Sequence, residues 1–315
     1  MKKEILLMRQ SFLKFYKMYE NPIVMISKFI LMVCILNSIN DVFGISTTIN
    51  NIWVTLTLSI IAIFIQPSAI LTISMFVVVY HVSSLSLILG ATIAAVCIAT
   101  YVLYIRLFPK ESLIIIFAVL LLPVDAVYVV PLVSALFCGV SGIAAIAIGC
   151  LFSSLFAQLP LLMGFTNLAE ISAETVEFVL VTLLRNTIFN TQMLTVITIL
   201  SVVFLMVYII RLQGIDYANY IAVCVGGVVS SLGFLIAELL LRTQVNIILM
   251  IFMTILSVFL ANFISFLSIV LDYSRAETVQ FEDEANYYYV KVVPKIELHE
   301  QTQTTQVFGN INNHF

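Results

Sequence analysis

The chain has 315 residues, of which 62% are hydrophobic and 10% charged, with a net charge of -3 and a mean hydropathy of +1.14. A soluble domain carries about 25% charged residues, so this composition excludes an ordinary globular enzyme, and the small net charge points to no nucleic-acid partner. A bilayer-spanning helix needs about 20 apolar residues, so residues 22–271 have room for about eight to ten helical segments, and the expected fold is an all-α, polytopic membrane protein.

Residues 1–21 read as an amphipathic helix. Ile5, Met8, Phe12, Phe15 and Tyr19 fall on one stripe, with Lys3, Gln10, Lys14 and Lys17 elsewhere. Such a helix suits an anionic cytoplasmic membrane surface, and its basic excess places the N-terminus inside. A first span follows over 23–42, with Lys28 able to snorkel near its start. The transmembrane domain as a whole is expected over 22–271.

Two long apolar runs come next. Residues 52–105 contain no Asp, Glu, Lys or Arg, and are punctuated at Gln66-Pro67-Ser68 and at His81-Val82-Ser83-Ser84. Arg106, Pro109 and Lys110 close that run. The second run, 112–165, carries one charge, Asp125, and is punctuated at Pro123, Pro131 and Gly139-Val140-Ser141-Gly142. Proline inside a membrane helix breaks or kinks it, and proline at a first helical position starts one. The runs therefore read as two proline-broken repeats, 52–106 and 112–165, with helix breaks at Pro67, Pro123 and Pro131. If Arg106 and Lys110 lie inside, the repeats run in opposite senses, as in many secondary transporters. If they lie outside, each run is a helical hairpin with a kink.

Asp125 has two readings. A carboxylate in hydrocarbon needs a partner or a water-lined cavity, so it could bind a cation, a proton or substrate at the helix break. Alternatively it caps the backbone amides freed at Pro123. Two other candidates for substrate or ion binding are His81, which also reads simply as a polar residue at a helix turn, and Glu238. The latter has Arg242 four residues on, and an ion pair at the interface accounts for both.

Residues 166–188 form an amphipathic outer segment with Glu170, Glu174 and Glu177 on one face. Three spans follow within 189–271. Residues 272–315 make a cytoplasmic tail, with a β-prone run at 287–293 that Pro294 ends and a polar, disordered stretch at 301–315. Tyr287, Tyr288 and Tyr289 are candidates for partner binding there, through addition to a partner's sheet. The five cysteines all lie in apolar stretches with no CxxC pair, which reads as packing and not as metal ligation or disulfides. No nucleotide, metal or dinucleotide motif is present, so no cofactor is expected and any ATP-driven role would need a separate ATPase.

The tail segment TVQFEDEANYYYVKVVPKI is similar to the ending of an uncharacterised family of bacterial multi-pass membrane proteins loosely described as permeases. That resemblance implies a bacterial cell-membrane location. The Pro/Gly pattern over 131–149 more weakly resembles the membrane-embedded substrate-binding subunits of energy-coupling-factor transporters. Gly139-Val140-Ser141-Gly142 has the GxSG form of rhomboid proteases, but those take their histidine from a later span and no membrane histidine follows Ser141 here. The expected function is thus a non-enzymatic, permease-like membrane protein. The alternative is a scaffold or assembly subunit recruiting cytoplasmic partners, or other subunits of a membrane complex, through its termini.

Overall fold

The computed structural model describes residues 2–43, 49–84, 87–166, 181–182, 185–241, 246–268, 277–282 and 287–292. It divides into two units, Met1–Leu267 and Ser268–Phe315. The first unit is an all-α, polytopic helical fold. Among the described residues four helices are long and apolar enough to cross a membrane: Glu20–Val42, Thr191–Arg211, Ala218–Leu241 and Ile247–Ser268.

Helix α1 (Lys2–Met18) is the expected amphipathic element. Met8, Phe12, Phe15 and Met18 stay exposed, while Arg9 on the opposite side is buried. An apolar face left open beside a basic one is what a helix lying in a bilayer interface presents. Arg9 donates to the Leu267 carbonyl at 3.3 Å and lies over the Phe266 ring.

Helix α2 (Glu20–Phe43) packs along α3 (Ile52–Phe64), whose start is capped by the Asn51 side chain. Lys28 is half-buried. Its Nζ donates to the Ile65 carbonyl at 2.9 Å, at the end of α3, so α2 and α3 run antiparallel. Pro67 is the first residue of α4 (Pro67–Ser83), as its fixed φ and missing N–H favour. Helix α4 pairs with α5 (Leu87–Thr100), where Gly90 lies against Ser83. A π turn, Tyr101–Ile105, continues α5 to its end.

The second proline-broken run folds as α6 (Ser112–Leu121), α7 (Val129–Phe137) and α8 (Gly142–Thr166). Glu111, at the start of α6, bonds Ser141, at the start of α8. Further along, Gly149 of α8 sits against Ile115 and Ala118 of α6. Helices α6 and α8 therefore start at one end, here called the base, and run side by side in the same direction. The intervening α7 must return, so α6 and α7 form a helical hairpin. Its arms, of 10 and 9 residues, are about 15 Å long, half of a hydrocarbon core of about 30 Å.

The hairpin turn differs from expectation. No helix begins at Pro123; the chain resumes helical form only at Val129. The Ala126 N–H bonds the Leu121 carbonyl at 3.0 Å and the Asp125 N–H bonds the Leu122 carbonyl at 3.2 Å, while Asp125 has φ 54°. These two bonds around a left-handed residue form a Schellman motif, which satisfies the last carbonyls of α6. Pro123 is thus in the closing turn of one helix rather than the opening turn of the next. Pro131 sits buried in the first turn of α7, where no intrahelical donor is required.

Helices α9 (Thr191–Arg211), α10 (Ala218–Leu241) and α11 (Ile247–Ser268) complete the unit. Helix α9 packs on α7, α8 and α10. A Cβ at Gly226 of α10 would meet Val207 and Leu132, so a bare backbone brings α10 close to both α9 and α7. The two three-helix segments use different packing, with α3 lying on α2 and α6 lying on α8.

The second unit contains an antiparallel pair, β1 (Glu277–Glu282) and β2 (Tyr287–Val292). The expected strand thus has a partner from the stretch before it, with Phe281 opposite Tyr288. Most of the expected outer segment 166–188, and the stretch 301–315, lie outside the described residues.

The closeness of α6 and α8 is testable. A Cβ at Gly149 would lie 2.5 Å from the Ala118 Cβ, whereas Gly214 has nothing within 4 Å. Gly149→Ala should destabilise the purified protein in detergent by about 1–3 kcal/mol through overpacking. Gly214→Ala should leave the thermal midpoint close to that of the parent.

Candidate functional site: a cavity above a half-length hairpin

Helices α2, α4, α6, α8 and α9 surround a cavity of about 670 Å³. That volume lies within the range of small-molecule sites, roughly 300–1,000 Å³. The tip of the hairpin, Leu122, Pro123 and Val124, forms part of its wall. The short helix α6 and the turn that closes it flank this space.

The lining is graded. Leu71, Met75 and Val78 of α4 face Ile115, Ile116 and Val119 of α6 across an apolar interior. Polar groups come from the far ends of the elements: Ser38 and Asp41 near the end of α2, Gln158 on α8, and Asn190 and Gln192 where α9 begins. Ser38, Asp41 and Gln192 are exposed, so this end is the mouth. Ser74 within the apolar part, and Ser153 and Ser154 on α8, add buried hydroxyl-bearing residues. Among the described lining residues Asp41 is the one ionisable side chain. The arrangement fits a ligand with an apolar body and a hydrogen-bonding or cationic head.

At the base the hairpin is held by polar contacts. Arg211, the last residue of α9, donates from Nη1 to the Ala135 carbonyl of α7 at 2.7 Å. Glu111 is buried, 8% exposed, and accepts from both the Tyr104 hydroxyl of the π turn and the Ser141 hydroxyl. Tyr104 Oη also lies 2.8 Å from the Ser141 carbonyl oxygen. Ser112, fully buried beside them, donates to the Pro109 carbonyl at 2.7 Å. Arg106 and Lys110 are exposed at this same end.

The residues singled out from sequence are dispersed. Pro123 lines the cavity, and Asp125 is exposed on the adjoining turn. Pro67 is half-buried at the start of α4, and Pro131 is buried in α7. His81 is fully buried in the last turn of α4, away from the cavity lining. Glu238 is half-buried near the end of α10, and its suggested partner Arg242 lies outside the described residues. Tyr287 is exposed on β2, where Tyr288 and Tyr289 also lie. Asp41 and Glu111, which the structure places at the mouth and at the base, were not among those candidates. A signal for Glu111 exists in retrospect: it directly precedes an apolar helix at Ser112, where a carboxylate favours the free N–H groups.

No family model, curated protein or solved structure matches this chain.

The hairpin turn makes a specific claim about Asp125. Its left-handed backbone costs an ordinary L-residue about 1–2 kcal/mol, a cost that glycine avoids. Asp125→Gly should keep or raise the thermal midpoint in detergent. Asp125→Val should lower stability by about 1–2 kcal/mol relative to the glycine variant.

Proposed function

We propose that this chain is a permease-like protein of a bacterial cell membrane that admits a small amphiphilic solute into the cavity from the outer face. The observation that carries the reading is the cavity itself: open at a polar mouth, apolar within, and walled on one side by α6 and the turn of a half-length hairpin. Discontinuous helices around a central site are a recurring design of secondary transporters. The absence of a basic group among the described lining residues favours a neutral or cationic head over an anionic one.

Sidedness follows from charge. Arg106, Lys110 and Arg211 gather at the base, and an excess of basic residues marks the cytoplasmic side. With the base inside, both termini of the membrane unit are cytoplasmic and the mouth faces out. Helices α3, α4 and α5 then run inward, outward, inward, and α6, α7 and α8 outward, inward, outward. This supports two segments of opposed sense. A scaffold reading draws on the second unit, where a two-stranded sheet with exposed Tyr287 could accept a partner strand.

The test uses single cysteines at Met75 and at Lys110 in a background without native cysteines. In intact cells an impermeant thiol reagent should label Met75→Cys, and adding Val119→Trp to fill the cavity should suppress that labelling. Lys110→Cys should be labelled only after lysis. Labelling of Lys110→Cys in intact cells would invert the sidedness, and protection of Met75→Cys would remove the outward-open cavity.

A further inference from the structure

The base of the hairpin holds an ionisable group that the cavity does not use. Glu111 is buried where the π turn after α5, the start of α6 and the start of α8 meet. Among the described residues no basic side chain bonds its carboxylate. Burying such a charge unpaired is costly.

Three oxygen-to-oxygen contacts make up the cluster: Tyr104 to Glu111, Ser141 Oγ to Glu111, and Tyr104 to the Ser141 carbonyl. Each needs one hydrogen. A tyrosine hydroxyl supplies one and a serine hydroxyl supplies one, whereas an ionised carboxylate supplies none. With Glu111 ionised, two hydrogens serve three contacts, and Tyr104 must choose between two acceptors. With Glu111 protonated, three hydrogens serve three contacts: Glu111 donates to Tyr104, Tyr104 to the Ser141 carbonyl, and Ser141 to the other carboxyl oxygen.

We propose that Glu111, with Tyr104 and Ser141, forms a proton-binding site that couples proton uptake from the basic face to the position of the hairpin. The proton comes from water at the exposed loop carrying Arg106 and Lys110 and returns there, with no covalent bond made. Its arrival changes the bonds that tie the π turn after α5 to the starts of α6 and α8 at the base of the hairpin. Cys138, at the end of α7, is within electrostatic range of both Glu111 and Arg211. Helix α4, which packs on residues 109–111, carries Tyr80 and His81 only towards its opposite end. The inference rests on the permease reading for the role of the coupling, but proton binding is measurable without any solute.

The experiment is infrared difference spectroscopy of the full chain in liposomes, comparing acid with alkaline buffer. Acidification should produce a protonated-carboxyl band that is lost in Glu111→Gln and displaced in Tyr104→Phe, where one hydrogen-bond partner is missing. The amide change accompanying that band should vanish with it in Glu111→Gln. A band unaltered by both substitutions would overturn the proposal, as would the lack of any such band in the parent protein. If Glu111→Gln does not fold, the displacement in Tyr104→Phe decides alone. Failure of Met75 labelling with the band intact would remove the cavity reading and leave the proton site.

Discussion

Among the described residues, basic side chains reach backbone carbonyls at the ends of neighbouring helices of the apolar unit, and the rest of the architecture depends on this. In a bilayer every backbone polar group must find a partner within the protein. A helix that stops short of the surface leaves carbonyls at one end and N–H groups at the other. Three basic residues meet the first need: Lys28 bonds the Ile65 carbonyl after α3, Arg211 bonds Ala135 in the last turn of α7, and Arg9 bonds Leu267 in the last turn of α11. Each cation also lies at the negative end of a helix dipole. Glu111 is the converse, an anion-forming group at the start of α6 and beside the start of α8.

These caps are what permit helices of half length, and the short helix α6 and the turn that closes it flank the cavity. The Schellman turn at 121–126 closes α6, and the chain returns through α7 to the base. Close approach at Gly149 and Gly226 lets the short arms lie against α8 and α10 without side-chain spacers. The functional reading therefore grows from backbone satisfaction: the same polar contacts that hold the hairpin also place a protonatable carboxyl at the start of the helix that walls a solute-sized space.

Much of this was legible in the sequence, and the exceptions have physical reasons. Residue composition marked the membrane unit, Pro67 marked the start of α4, and Gly139-Val140-Ser141-Gly142 marked the turn before α8. Pro123 and Asp125 were legible as a break but not as a direction. A polar residue beside a proline can cap a helix start or close a helix end, and only the left-handed φ at Asp125 distinguishes them. Glu111 gives little signal in the sequence, because it follows Arg106 and Lys110 and looks like part of a solvated loop. Its burial comes from Tyr104 and Ser141, each brought in by folding from another element. The partner of Lys28 is a carbonyl 37 residues away, which no local pattern reveals. The strand at 287–292 was visible in its β-branched and aromatic residues, but its pairing with 277–282 was hidden behind the acidic character of that stretch.

Helices α6 and α7 leave and regain the same end of the molecule, and the cavity and the proton site both depend on it. Spin labels at Lys110 and Val140, both exposed positions flanking the hairpin, measure this directly in liposomes. The hairpin should give strong dipolar broadening from two labels in near contact, since the adjoining Glu111 and Ser141 are hydrogen-bonded. A continuous helix between the two labelled positions would separate them by about 45 Å. A distance of that order would contradict the hairpin and, with it, both the cavity wall and the proton site built on its base.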